Sequence, residues 1–347
     1  MNTLLANAIE KMGIKFFASI NRKKSNSQIF KECNKLTSDE IKSIYSRITV
    51  FNKNEFFDEP VLINKKVVNG MDVNTYTMPS LYIPIKKYQN IYNTFSENKN
   101  IYFEHMACKN SNKKQKTALI YLHGFSERNY NNETKYLFAN LVKQYNDLDI
   151  LAVQQPFHML RSPNNQPYSG AYIFDSCPIV TIEGIRQSVN DVSQVISYAK
   201  QNYTKVIVGG FSLGGHVTSF LGTCDDRADL YIMGQAGAKL PETLNYLSVC
   251  PGLYAKKDEW INSGQEFELL YDPIELLKYN PIIPKEKVVS VAGFNDRLVT
   301  YERVEELRNL FKSQYNIDYK SGHIGLLLEW KVVMKPLLKI IDEELGE

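Results

Sequence analysis

Residues 205–220 read KVIVGGFSLGGHVTSF. Val206, Ile207 and Val208 form an apolar run without alternation, the pattern of a strand buried on both faces. HVTSFLGT (216–223) reads as a helix. Between them Gly210-Phe211-Ser212-Leu213-Gly214 has the form G-x-S-x-G. A strand that runs into this motif and a helix that runs out of it hold the serine on a sharp bend. Gly210 and Gly214 lack Cβ atoms, so strand and helix can close around that bend. The plainer alternative is a glycine-rich turn with an incidental serine, and the surrounding sequence weighs against it.

Working outward, strand-like and helix-like stretches alternate. TALIYL (117–122) predicts a strand, NNETKYLFANLVKQYN a helix and LDILAVQ (148–154) a strand. A long helix follows over TIEGIRQSVNDVSQVISYAKQN, with Ile182, Ile185, Val189, Val192 and Ile196 on one stripe. Beyond the serine come ADLYIMG and KVVSVAG as strands and TYERVEELRNLFKSQ as a helix. NIDYKS then reads as a strand, and a C-terminal helix runs from Ile324. Apolar strands alternating with helices predict an α/β fold with a mostly parallel, doubly wound sheet. Between 60 and 108, VLINKKVV, VNTYTMP, LYIPI and IYFEHMA read as short strands.

Two stretches stand outside that rhythm. Residues 240–285 carry Tyr246, Tyr254, Trp260, Phe267, Tyr271 and Tyr279 and exceed an ordinary connection, so a helical lid insertion is expected there. Residues 1–60 read as an N-terminal helical extension to a domain spanning 61–347. Leu4, Leu5, Ile9, Met12 and Phe16 fall near helical spacing and precede Arg22-Lys23-Lys24. Such a stripe either packs on its own domain or makes peripheral membrane contact. KLTSDEIKSIYS (35–46) predicts a second helix with Thr37 or Ser38 as its cap.

Composition narrows the function classes. The 347 residues are 44% apolar and 23% charged, enough for a large core. The 41 basic residues minus 38 acidic ones give +3, too mild for nucleic-acid binding as the main task. No run of 18 apolar residues predicts a transmembrane helix. Glu10 and Lys11 interrupt the first apolar run, which is a poor match to a signal peptide. The five cysteines are odd in number and widely spaced, with no CxxC pair. This predicts reduced thiols and a cytoplasmic protein. No metal-ligand spacing or cofactor motif is present, so neither a metal nor an organic cofactor is expected.

A serine hydroxyl becomes a useful nucleophile only with a base in reach and a third group orienting that base. Five histidines are available. His323, in YKSGHIGLLL, follows the last predicted strand and is the expected base. His216 lies four residues past Ser212 and His105 in an early strand, both read as structural. Asp296, in VAGFNDRLV, follows a strand between Ser212 and His323 and is the expected orienting acid. Asp318 and Glu302 are weaker candidates. An oxyanion would need preorganised donors. The backbone N–H of Leu213 and that of Phe125, in His123-Gly124-Phe125-Ser126, are the candidates. His123 reads as a loop-shaping hydrogen bonder.

Taken together, Ser212, Asp296 and His323 in that order, with the loop after TALIYL, resemble the alpha/beta-hydrolase superfamily across roughly residues 100–345. LAVQQPFHMLRSP (151–163), SGAYIF and the long helix before G-x-S-x-G-G-H are similar to the alpha/beta hydrolase domain-containing 18-like branch. The resemblance implies an alpha/beta-hydrolase fold and a serine hydrolase cleaving a carboxylic ester or thioester of a small-molecule or lipid-like substrate. It places His158 and Arg161 near the mouth of the site, gripping a carbonyl or anionic group. The alternative for those two is a loop held by its own hydrogen bonds. An acyltransferase using the same residues, and a non-catalytic binding protein on the same fold, are the competing functions. Oligomeric state is not legible.

Overall fold

A computed structural model describes residues 3–20, 37–45, 51–108, 117–145, 147–174, 177–240 and 267–345. Nine strands among them form one sheet. They are β1 (Val61–Val68), β2 (Met71–Pro79), β3 (Asn100–Cys108), β4 (Thr117–Leu122), β5 (Leu148–Gln154), β6 (Lys205–Phe211), β7 (Leu230–Gly234), β8 (Val288–Gly293) and β9 (Tyr315–Tyr319). The spatial order is β1-β2-β3-β5-β4-β6-β7-β8-β9. β1 to β3 form an antiparallel meander, and β3 pairs antiparallel with β5. From β5 across to β9 every pairing is parallel. The alternation read from the sequence therefore becomes the expected mostly parallel sheet.

The main helices are α1 (Thr3–Ile20), α2 (Ser38–Tyr45), α3 (Ala139–Gln144), α4 (Pro178–Asn202), α5 (Leu213–Leu221), α6 (Tyr301–Phe311) and α7 (Trp330–Leu345). One core layer joins the sheet to α4 and α5, and a second joins the opposite face to α3 and α7. The predicted stripe on α4, Ile182 to Ile196, is buried. Each such side chain removed from water contributes about 1.5–3 kcal/mol.

The other side of α4 is buried as well, by polar bonds the stripe did not announce. Glu183 accepts from Tyr45 Oη at 2.7 Å, Tyr82 Oη at 2.7 Å, Ile85 N at 3.1 Å and Arg186 Nη1 at 2.7 Å. These bonds correct one expectation. LYIPI (81–85) is not a strand, because its N–H groups go to side chains of α4: Leu81 N donates to Gln194 Oε1 and Ile85 N to Glu183. Pro84 has no N–H to offer a ladder. The cap of α2 is Thr37. Its Oγ1 accepts from Glu40 N at 3.2 Å, and its own N–H donates to Glu40 Oε2 at 2.9 Å. This reciprocal pair is a capping box.

Three residues of the apolar stripe on α1 do not pack on the domain. Leu4, Leu5 and Met12 are exposed, while Ala6 and Glu10 are buried. The inward face is instead set by Glu10, whose bonds are given with the site. No helix among the described residues is long and apolar enough to cross a membrane. The expected lid falls largely on 241–266, and Arg22-Lys23-Lys24 on 21–36; both lie outside the described residues. The expectation of reduced thiols is corrected at one position. Cys177 is disulfide-bonded and Cys224 is a free thiol. Sequence spacing gives no hint of a bridge at Cys177, and the thiol-based argument for a cytoplasmic setting falls with it.

At the end of β6 the chain turns into α5 through Ser212, at φ 57° and ψ −119°. The turn fits only because three positions lack a side chain. A Cβ on Gly210 or Gly214 would run into Leu122 O of β4, and one on Gly215 into Gly234 O of β7. We expect Gly214→Ala to cost about 3 kcal/mol, the upper end for an overpacked interior. Urea unfolding measures it, and Gly124→Ala, whose Cβ would meet only ordinary contacts at 3.7 Å, serves as the comparison.

Candidate active site

The carboxyl ends of β4 to β8 lie side by side because these strands are parallel, so the loops leaving them can converge. Backbone strain gathers at the same edge. Ser126 after β4, Phe157 and Met159 after β5, Ser212 after β6 and Gln235 after β7 all have φ between 49° and 67°. Each non-glycine residue there costs about 1–3 kcal/mol that its surroundings must offset.

The loop after β4 rests on the serine turn. A Cβ on Gly124 would lie 3.7 Å from both Phe211 O and Ser212 Cβ. His123 holds that loop in shape. Its Nδ1–H donates to Gly124 O at 2.8 Å, and its Nε2 accepts from Gln155 N at 3.0 Å. Gln155 Nε2 returns a bond to His123 O at 2.6 Å. The ring is therefore a neutral tautomer. Burial pushes its pKa down to about 4, with nearby Arg161 adding to the shift against the Gly124 carbonyl. Phe125 and Leu213, whose N–H groups are the candidate anion donors, follow Gly124 and Ser212 directly in the chain. Leu213 opens α5 at the positive end of the helix dipole.

His158 and Arg161 do not reach the mouth of the site. Both are fully buried. The His158 ring lies 4.6 Å from that of His123, and its Nδ1–H donates to Pro156 O at 2.9 Å. Its far side is pressed against Gly170, where a Cβ would meet Nε2. Arg161 donates to Asp191 Oδ2 at 2.7 Å, Asn98 O at 3.1 Å and Gln154 O at 3.0 Å. The guanidinium staples the loop after β5 to α4. The substrate grip implied for this pair gives way to the loop-holding alternative, because no face of either side chain is open to a ligand.

Asp296 and His323 do meet. The His323 Nδ1–H donates to Asp296 Oδ2 at 2.7 Å. Asp296 Oδ1 accepts from Leu298 N at 2.9 Å and Val299 N at 2.8 Å, so the carboxylate is fixed before it holds the ring. This pairing leaves His323 Nε2 as the acceptor. Burial pulls the His323 pKa down, but the charge and hydrogen bond of Asp296, with Glu10 adding, raise it above the usual 6.5. The chain returns this loop to the serine turn through Gln235. Ser212 N donates to Gly234 O at 2.9 Å, and the next residue, Gln235, donates from Nε2 to His323 O at 2.8 Å. No hydrogen bond joins Ser212 Oγ to His323 among the described residues. Unliganded sites commonly hold this contact loose and tighten it around substrate. His216, buried and pushed down to about 3 by burial and by His323, faces the same region.

Two residues of this site are invisible to motif reading. Gln235 sits at a strand end with no pattern around it. Glu10, on α1, is fully buried. Its Oε1 accepts from His323 N at 2.9 Å and its Oε2 from Ile324 N at 3.0 Å. Its only sequence signal is an acid interrupting an apolar helix. NMR titration of the imidazoles checks the electrostatics: His123 should stay neutral down to about pH 5, and His323 should titrate above 6.5.

Residues 87–234 match the family described as alpha/beta hydrolase domain containing 18. No curated protein matches the chain significantly. Acetyl xylan esterase 1 from Thermoanaerobacterium sp. JW/SL YS485 superposes with a TM-score of 0.56 at 13% identity, covering 94% of this chain and 98% of its own. The acetyl xylan esterase from Paenibacillus sp. R4 gives 0.55 at 11% identity, covering 93% and 98%. An acylaminoacyl peptidase bound to Z-Gly-Gly-Phe-chloromethyl ketone gives 0.51 at 11%, covering 82% and 56%. At these identities the likeness is one of fold. The chain has an alpha/beta-hydrolase fold, and its residues 87–234 are similar to the alpha/beta hydrolase domain containing 18 family.

Proposed function

We propose that this protein is a serine hydrolase of carboxylic esters or thioesters, with Ser212 as nucleophile, His323 as base and Asp296 as the acid that orients it. The observation that carries the reading is the 2.7 Å bond from His323 Nδ1 to a pre-fixed Asp296, beside the strained turn bearing Ser212. Esterases among the solved structures of the same fold support the substrate class.

The chemistry follows from the tautomer. His323 Nε2 takes the Ser212 proton as Oγ attacks the acyl carbon, and Asp296 stabilises the imidazolium that forms. Charge then develops on the carbonyl oxygen, where the N–H groups of Leu213 and Phe125 receive it. His323 next protonates the departing alcohol or thiol, leaving an acyl-Ser212 ester. Water enters by the same proton path in reverse, releasing the acid and restoring Ser212. No cofactor is needed for any of these steps. His158 and Arg161 take no part beyond holding their loop.

A fluorophosphonate probe should label the wild-type chain and not Ser212→Ala; equal labelling of both removes Ser212 as the nucleophile. p-Nitrophenyl esters of graded length and acyl-CoAs then define the acyl chain and leaving group. The acid limb of kcat/KM should lie above 6.5, because His323 must lose its proton to act as base and its pKa is raised. Asp296→Asn should move that limb to lower pH and reduce kcat by about 10⁴-fold, because the ring loses both its orientation and its counter-charge.

A further inference from the structure

We infer that Glu10 of the N-terminal helix is a positioning residue for His323, so that the site is set only while α1 is docked. This rests on the triad proposed above.

The contact is a fitted one. The two carboxylate oxygens of Glu10 each take a separate backbone N–H, those of His323 and Ile324, where the chain turns into the short helix Ile324–Leu328. Asp296 holds the His323 ring, and Glu10 holds the backbone from which that ring projects. Residue 322 is glycine, and a Cβ there would lie 2.5 Å from both Glu10 Cδ and the backbone Asn295 O, so the carboxylate and the Asp296 loop can both close on it. The approach of the helix depends on a second glycine. A Cβ on Gly13 would lie 2.7 Å from Ile324 Cγ2. Asn7, one turn before Glu10, adds a third tie. Its Oδ1 accepts from Arg297 Nη2 at 3.3 Å, beside Asp296. One face of α1 therefore grips both loops that supply the Asp296–His323 pair.

A buried carboxylate is costly unless its partners hold it. Burial, and then Asp296, raise the pKa of Glu10, while His323 and the two N–H groups oppose the rise. The groups facing this contact are Asp296 and Arg297 on one loop, Tyr319 on β9, and His323 and Glu329 on the other side. A negative charge at this point also favours the imidazolium that His323 becomes during turnover. Positioning and electrostatics thus act in the same direction. A displacement of about 1 Å in such a group can reduce a rate about 100-fold.

The test uses the full chain and reads fluorophosphonate labelling, ester kcat and KM, and the pH profile. Glu10→Gln keeps the volume and removes the charge, and Glu10→Ala removes the contact. Both should lower kcat and the labelling rate by about 10- to 100-fold, with KM for a short ester within about twofold. Both should also move the acid limb to lower pH, since one carboxylate no longer favours the charged ring. Lys11→Gln, on the exposed side of α1, should leave the rate unchanged. Wild-type rates and pH profile in a folded Glu10→Gln protein overturn the inference alone. Absence of Ser212-dependent labelling in the wild type overturns the triad and this inference together.

Discussion

The close passage of α5 between β4 and β7 is the constraint on which the rest of the site depends. Three glycines, at 210, 214 and 215, let backbone meet backbone where any side chain would collide with Leu122 O or Gly234 O. That crowding forces Ser212 into a left-handed backbone, and the same Gly234 O that excludes a side chain accepts the Ser212 N–H. The strain is thus held by neighbouring strands on both sides. The loop after β4 must then lie over Ser212, and the loop after β7 must pass beneath the turn that carries His323.

Histidines in this region divide by environment. His123, His158 and His216 are buried without a carboxylate partner and stay neutral, and two of them hold loops through Nδ1. His323 faces Asp296 and Glu10, and its pKa moves in the opposite sense. Four imidazoles within one edge of a sheet therefore have separate tasks, set by whether a carboxylate stands beside the ring. Arg161 belongs to the supporting group: a buried cation neutralised by Asp191, fixing the β5 loop to the longest helix.

The serine turn, the Asp296–His323 pair and the parallel sheet are legible in the sequence because each leaves a local mark. The marks are a glycine spacing, an apolar run and a residue just past a strand. Glu10 and Gln235 leave none. Their partners are backbone groups 313 and 88 residues away, so nothing near either residue records the bond. The reading of LYIPI as a strand failed for the same reason, since distant side chains on α4 take the N–H groups a ladder would use. His158 and Arg161 were located by resemblance to a family, but burial is a property of the folded surface and no motif carries it. The Cys177 bridge was missed because cysteine spacing encodes no connectivity.

β1 closes the sheet at its outer border with almost no cover on either side; Val61, Ile63 and Val67 all lie in the open. A strand so placed offers unused amide and carbonyl groups to any other chain, the geometry from which fibres grow. Asn64, Lys65 and Lys66 occupy its centre, and the register slips between Leu62 and Asn64. Lys66 is partly neutralised by Glu104 at 3.1 Å, which leaves Lys65 as the main guard. Two such borders laid antiparallel would bring their lysines together, and the slip would spoil the match. This protection is electrostatic, so it weakens as added salt shortens the reach of those charges below about 10 Å.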